Sequence, residues 1–312
     1  MDAKYKALLE KQQYEFCGDH SAVKICSWTK QSLRGNGTCY KEKFYGIRAH
    51  RCLQMAPSVN FCGLDCIFCW RARHDEPYTS IDDPKVVVQA SIKAQQHQLI
   101  GFKGNDKVSE KMIQDAMNPR HVAISLTGEP LTYPKVSELI QEYHNEGFTT
   151  FLVTNGQHPK VMRKMTLPTQ LYVSLDAPNK DLLTQIDKAK NPDQAWENLL
   201  GSLDALKELK GKTRTTIRVT LIKGLNDVQP EEYAKLFERA DADFIEVKAF
   251  MFIGSSRDRL EFENMPSSNE VKEFAEEICK HGNYKYIDEQ FESRVVLLAK
   301  EDRPDRIMKF KD

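Results

Sequence analysis

NFCGLDCIFCW, residues 60–70, places Cys62, Cys66 and Cys69 on one short stretch, with Phe68 just before the last of them and Trp70 just after. Structural zinc prefers four ligands, commonly a C-x2-C pair with a second pair elsewhere. Here the spacing is C-x3-C-x2-C, and His74 is the nearest candidate for a fourth ligand. An iron–sulfur cluster held by three thiolates instead keeps one iron with an open coordination position, which is useful where something else must bind it. An apolar Phe68 in such a loop shields the cluster and can stack on an aromatic ligand. The spacing by itself leaves both metals open.

The rest of the composition narrows the setting. A chain of 312 residues suits one large α/β domain or two medium ones, and at 40% apolar it can build a core without disulfides. Lys plus Arg is 45 and Asp plus Glu is 45, so any nucleic-acid partner must be met by a local basic patch. The start MDAKYKALLEKQQYEF has no apolar signal region, and no apolar run is long enough to span a bilayer. The expectation is a cytoplasmic protein with reduced thiols, where clustered cysteines bind metal more often than each other.

From about residue 56 the sequence alternates short β-branched or aromatic runs with helical patterns. The expected strands are SVNF (58–61), HVAISLT (121–127), FTTFLVT (148–154), LYVSLD (171–176), TIRVTLI (216–222) and DFIEVKAF (243–250). Helices are expected from Asp83-Pro84, through VSELIQEYHNE to Gly147, from Asn191-Pro192, after Pro230, and from the capping-box spacing Ser267-Ser268-Asn269-Glu270. Repeated strand–helix alternation predicts a parallel α/β domain, either an open sheet or a barrel. In such folds the working residues follow the carboxyl ends of the strands. Cys62, GEP (128–130), NGQHP (155–159), Asp176-Ala-Pro and KGLND (223–227) all do so, which predicts one cavity on one rim.

C-x3-C-x-aromatic-C after a first strand resembles the signature of radical S-adenosylmethionine enzymes. The resemblance implies a partial TIM-type (βα)6 barrel over residues 56–312 with a C-terminal extension, preceded by a cysteine-containing N-terminal extension over residues 1–55. It implies that the open iron chelates the methionine amino and carboxylate groups, and that one electron releases a 5′-deoxyadenosyl radical. SLTGEP is similar to the family's GGE motif, with Gly128 and Glu129 at the methionine ammonium and Thr127 in place of the first glycine. Ser174 and Asp176 fall where the family contacts ribose or the methionine end, and Asn155 is a further contact. LIKGLND resembles G-x-I-x-G-x-x-E, which puts Ile222 and Gly224 near the adenine, with Asp227 in place of the glutamate.

Cys26, Cys39 and Cys52 are each thirteen residues apart, in a polar segment where a merely packed cysteine is out of place. A second 4Fe-4S cluster with three protein ligands is the sharper reading; Cys17 and Cys279 are expected to pack. The words CYKEKFYGIRAHRCLQMAPSVNFCGLDCIFCW, residues 39–70, closely resemble the tRNA 4-demethylwyosine synthase family of radical S-adenosylmethionine enzymes. That resemblance implies a lyase or synthase of wybutosine-type biosynthesis. Its substrates are phenylalanine tRNA carrying N1-methylguanosine-37 and pyruvate, which supplies two carbons to close a tricyclic base. It also implies two clusters, an external donor such as flavodoxin or ferredoxin, and the single-domain archaeal form; a monomer is expected. Pyruvate can be held by the open iron of the second cluster or by Lys41 as a Schiff base. Without the motif Lys41 reads as one solvated lysine among Lys30, Arg34, Lys43 and Arg48.

Lys30, Arg34, Lys43, Arg48 and Arg51, with Tyr40, Phe44 and Tyr45 interleaved, are the candidate tRNA contacts, the aromatics stacking on bases. Further basic clusters are Lys160, Arg163 and Lys164, then Lys207 to Arg214, and Arg257 with Arg259. Two other classes compete: an activase of a glycyl-radical enzyme, with a protein partner in place of tRNA, and a non-catalytic metal-bound RNA-binding protein.

Overall fold

The structure, a computed structural model, describes residues 1–72 and 75–310. After a helix, Ala3–Lys11, come two short strands, β1 (Glu15–Phe16) and β2 (Ala22–Val23), which pair antiparallel. β2 then pairs antiparallel with β3 (Cys52–Ala56). From β3 the sheet runs parallel and in chain order through β4 (His121–Ile124), β5 (Thr149–Thr154), β6 (Gln170–Ser174), β7 (Arg214–Leu221) and β8 (Phe244–Ala249). The last two, β9 (Lys285–Gln290) and β10 (Val295–Ala299), return antiparallel, so the order ends β8-β10-β9 in a ten-stranded mixed sheet.

The connecting helices start where their capping chemistry says they should. Asp83 accepts from the N–H of Lys85 ahead of Pro84–Leu99, and Asn191 from that of Gln194 ahead of Pro192–Leu209. Ser267 and Glu270 close a reciprocal capping box on Ser268–Cys279. Five of the six expected parallel strands are present, with ends shifted by one to three residues; β6 and β7 begin earlier than expected. The first is displaced: it is CLQMA, Cys52–Ala56, and residues 58–61 are not a strand. Cys62 is therefore separated from its strand by a short segment in which Ser58 and Asn60 are buried.

Alternate strand residues divide between two cores. Leu152, Leu171, Val173, Val219 and Val247 pack outward under the helices. Phe151, Tyr172, Phe244, Val295 and Leu297 pack on the inner face against Tyr40, Phe44, Tyr45 and Ile47. The short helix Tyr40–Tyr45 thus fills that inner face, and Gly46, at φ +79, turns the chain away beneath it. Tyr40, Phe44 and Tyr45 are buried there, so they do not offer rings to RNA, contrary to the sequence expectation. Full burial of each such ring is worth about 2–3 kcal/mol, which outweighs any gain from a solvated basic helix. Cys17 is buried in the outer core and Cys279 packs against it, as expected. Among the described residues no helix is long and apolar enough to cross a membrane.

Candidate active site

The segment carrying Cys62, Cys66 and Cys69 is pinned by the chain around it. Asp65 and Ile67 donate their N–H groups to the carbonyls of Asp187 and Ile186, just past the core of the helix Lys180–Asp187. Arg259 reaches in from residues beyond β8 and donates to the carbonyls of Ile67, at 3.1 Å, and Cys69. Ser255 donates to the carbonyl of Trp70. Arg259 is thereby a support for the cysteine loop and not a solvated RNA contact.

Gly128 presses on the same loop from the other side. At φ +66, a Cβ there would lie 1.7 Å from the carbonyl oxygen of Ser58 and 2.8 Å from that of Phe61, so only glycine fits. Its neighbour Glu129 donates its N–H to Phe61, and its buried carboxylate accepts from Thr154 Oγ1 (2.7 Å), Asn155 N (2.8 Å) and Leu131 N (3.0 Å). Burial lifts the Glu129 carboxyl to about 7, against the downward pull of those three donors. Asn155 Nδ2 lies 3.7 Å from Cys62 Sγ, joining the two halves of the site.

These residues border a cavity of about 340 Å3, lined by Cys62, Cys66, Phe68, Cys69, Gly128, Glu129, Asn155, Ser174 and Asp176. Cys62, Gly128, Glu129, Asn155 and Asp176 of the predicted rim therefore border one cavity, whereas KGLND, residues 223–227, does not. Ile222 and Gly224 are not part of the lining. Ile222 is buried in a satellite core with Ile67 and Phe68 beneath the cavity, and Gly224 turns in the loop after β7. A larger hollow of about 690 Å3, beside Glu10, Tyr14 and His97, touches none of the six cysteines of interest and lies away from this chemistry.

The interior supplies residues with no motif to announce them. Arg218 lines the cavity from the middle of β7, Lys248 from near the end of β8, and Asp187 from the end of its helix. Burial raises the carboxyls of Asp176 and Asp187, and the charge of Asp176 raises Asp187 further. Asp187 Oδ1 has no hydrogen-bond partner among the described residues. The available signal was a charged side chain inside an otherwise apolar strand, as in TIRVTL and FIEVKA, since such a residue must face something polar.

Cys26, Cys39 and Cys52 come together on the inner face. Cys26 and Cys39 each precede the first turn of a helix, Ser27–Leu33 and Tyr40–Tyr45, and Cys52 begins β3. Desolvation pushes Cys39 up to about 12, and the nearby charge of Cys26 adds to the rise of both Cys39 and Cys52. Lys41 is buried beside Cys39 and Cys52, with its Nζ 4.3 Å from the ring centre of Tyr172 and 5.1 Å from that of Phe151. Its amine is held below the ordinary lysine value, chiefly by burial and next by the charge of Arg218.

Among the described residues no three Cys, His, Asp or Glu side chains are drawn together as ligands of a single metal ion. A cluster asks for less convergence, since each thiolate binds a different iron. His74, the alternative zinc ligand, lies outside the described residues. The basic set is scattered. Arg34 is exposed, Lys43 pairs with Asp288 at 2.9 Å, and Arg51 donates to the carbonyl of Asn118. Arg48 and Arg51 stand by the amino ends of β3 and β4, opposite the rim that carries Glu129 and Asn155.

The radical SAM superfamily model matches residues 57–237, and that of Wyosine base formation matches residues 239–300. The S-adenosyl-L-methionine-dependent tRNA 4-demethylwyosine synthase of Pyrococcus horikoshii is 48% identical over 304 residues, covering 95% of this chain and 88% of that protein. The chain belongs to the tRNA 4-demethylwyosine synthase family. The Methanocaldococcus jannaschii member is 43% identical, covering 95% of this chain and 96% of that one. A solved structure of TYW1 with a lysine–pyruvate adduct bound superposes with a TM-score of 0.90 at 41% identity, covering 99% of each chain. As a radical S-adenosylmethionine enzyme, a member of this family works with S-adenosylmethionine and an iron–sulfur cluster. The Cys62, Cys66 and Cys69 loop over a cavity with a buried carboxylate fits both groups.

Proposed function

We propose that this chain is a tRNA 4-demethylwyosine synthase that joins N1-methylguanosine-37 of phenylalanine tRNA to two carbons of pyruvate, closing a third ring. The observation that carries the reading is the placement of Lys41. It is a buried amine beside Cys39 and Cys52 on the inner face, and it feels the charge of Arg218, which lines the cavity of Cys62, Cys66 and Cys69. Support comes from the lysine–pyruvate adduct of the TYW1 relative. The sheet, with all its long helices on one face, is read as a partial (βα)6 barrel.

When bound, the Cys62, Cys66 and Cys69 cluster with S-adenosylmethionine supplies the oxidant able to take a hydrogen from the unactivated methyl group. The chain's own residues then have definable tasks. Glu129, its carboxylate already fixed by three donors, receives the methionine ammonium. Asn155, Ser174 and Asp176 offer polar contacts around the same cavity, and Phe68, backed by Ile222, gives an apolar wall. Gly224 lets the following loop turn close to the adenine end.

Lys41 attacks the ketone of pyruvate through its neutral amine; water leaves and a Schiff base forms. Burial favours this by keeping part of the amine unprotonated. Cys26, Cys39 and Cys52 hold a second cluster at two helix N-termini, where the backbone N–H groups favour its negative charge. Lys30, Arg34, Lys43, Arg48 and Arg51 meet tRNA phosphates away from the cavity, as a substrate much larger than its anticodon loop requires. The enzyme acts as a monomer with an external one-electron donor.

The test is an anaerobic assay of the reconstituted protein with a reductant, S-adenosylmethionine, isotopically labelled pyruvate and phenylalanine tRNA carrying N1-methylguanosine-37. A labelled tricyclic nucleoside is expected by mass spectrometry. Cleavage of S-adenosylmethionine with no label entering the tRNA would refute the reading.

A further inference from the structure

Arg218 lies in the middle of β7, flanked by Ile217 and Val219. Pairing fixes its direction: it is in register with Ser174 of β6 and Glu246 of β8, and in-register residues of parallel strands share a face. That face is the inner one, so the guanidinium opens into the cavity and is cut off from bulk water. Only the cavity itself leaves it partly accessible.

Among the described residues the Arg218 side chain makes no hydrogen bond and no ion pair. Glu246, facing it across the strand pair, is already engaged: its two oxygens accept the hydroxyls of Tyr40 at 2.9 Å and Tyr45 at 2.8 Å. The nearby Asp176 accepts from Thr220 N at 2.6 Å. The charges of Glu246 and Asp176 act on the guanidinium and keep it ionised, but among the described residues no acceptor fills its N–H donors, and burying unfilled donors is costly. Lys41 and Lys248 add two more amines to the same interior. Glu129, Asp176 and Asp187 line the cavity as well, so an anion is drawn to Arg218 itself, whose planar fork of parallel N–H donors matches a carboxylate.

We propose that Arg218 is the carboxylate-recognising residue of the α-keto acid site, gripping the donor's carboxylate while its ketone carbon lies at Lys41 Nζ. This rests on the reading of Lys41 as the residue that holds pyruvate. The keto acid is favoured over the carboxylate of S-adenosylmethionine because Arg218 shares its surroundings with Lys41. Glu246 and Tyr172 border both, and the two cations are near enough to repel each other. A neutral ketone of the same size would leave the fork unpaired, so the residue sets specificity as well as affinity.

The experiment traps the Schiff base on the reconstituted full chain with cyanoborohydride, which reduces the C=N bond, and reads the intact mass. Pyruvate is compared with hydroxyacetone, the same methyl ketone with an alcohol in place of the carboxylate; S-adenosylmethionine affinity and iron content are measured alongside. The parent protein should prefer pyruvate. Arg218→Met should cut pyruvate trapping roughly 10- to 100-fold, with hydroxyacetone trapping and S-adenosylmethionine affinity unchanged. Arg218→Lys, which keeps the charge without the fork, should fall between, and it decides the matter if the methionine variant fails to take up iron. Retention of the parent's preference would overturn the proposal. So would a loss of S-adenosylmethionine affinity with the preference intact, which would give the fork to the methionine carboxylate. If the parent traps neither ketone, the Schiff-base reading fails by itself. Arg218 is then judged in product formation: a selective rise in the KM for pyruvate supports it, and an unchanged KM overturns it.

Discussion

Cys62, Cys66 and Cys69 occupy eight consecutive positions of one segment, whereas Cys26, Cys39 and Cys52 are drawn from two helix starts and the head of a strand. The first trio is a local device: its spacing alone nearly defines it, and the fold has only to support the loop through Gly128, Arg259 and Ser255. The second is a tertiary device. It exists only because the helix Tyr40–Tyr45 is driven into the inner face by Tyr40, Phe44 and Tyr45. The same burial that assembles that trio strips water from Lys41. A motif can therefore locate a site held by one segment, while a site drawn from distant segments is made by packing.

The sharpest way to break this comparison is to remove one cysteine from each trio. Cys62→Ala should abolish cleavage of S-adenosylmethionine to 5′-deoxyadenosine. Cys26→Ala should leave that cleavage running, measured by chromatography, while no tricyclic base forms. Loss of cleavage in both would mean that the two trios do not act separately.

Gly128→Ala comes next. The left-handed backbone alone costs a non-glycine residue about 1–2 kcal/mol, and the added Cβ must also displace the Ser58 carbonyl. The expectation is a lower Tm together with iron lost chiefly from the Cys62, Cys66 and Cys69 site, read by iron analysis and thermal unfolding. Iron lost equally from the other trio would blur the distinction between local and tertiary devices.

A smaller effect should appear with pH. The Glu129 carboxyl is raised to about 7, so it is ionised above that value and neutral below it. Affinity for S-adenosylmethionine, whose ammonium needs the carboxylate, should therefore weaken as pH falls through 7, by up to about tenfold per pH unit. Thr154→Val removes one donor to that carboxylate and should move the inflection upward. A flat binding profile between pH 6 and 8 would remove Glu129 from the ammonium site. The smallest effect is expected at the periphery: Lys43 is paired with Asp288 and half exposed, so Lys43→Ala should change tRNA affinity by less than about 1 kcal/mol.

Much of the rim was legible because its residues sit in loops immediately after strands, where backbone strain and turn chemistry leave marks such as GEP and TNG. Helix starts at Asp83, Asn191 and Ser267 were legible for the same local reason. The first strand was not. Gln54 lines the cavity and breaks the apolar run of CLQMA, while SVNF looks like a strand but pairs with none. Tyr40, Phe44 and Tyr45 read as exposed because Lys41, Glu42 and Lys43 lie among them, yet Lys41 itself is buried. Arg218 and Lys248 were legible only as charged residues inside apolar strands, because the strand sequence does not say what lies across its inner face.

The proposed division between cofactor site and substrate site requires two separate three-cysteine clusters. The direct measurement is iron content and the absorption spectrum after anaerobic reconstitution of the parent protein, Cys62→Ala and Cys26→Ala. About eight irons in the parent and about four in each variant is the predicted result. About four irons in the parent, lost only with Cys62→Ala, would contradict it.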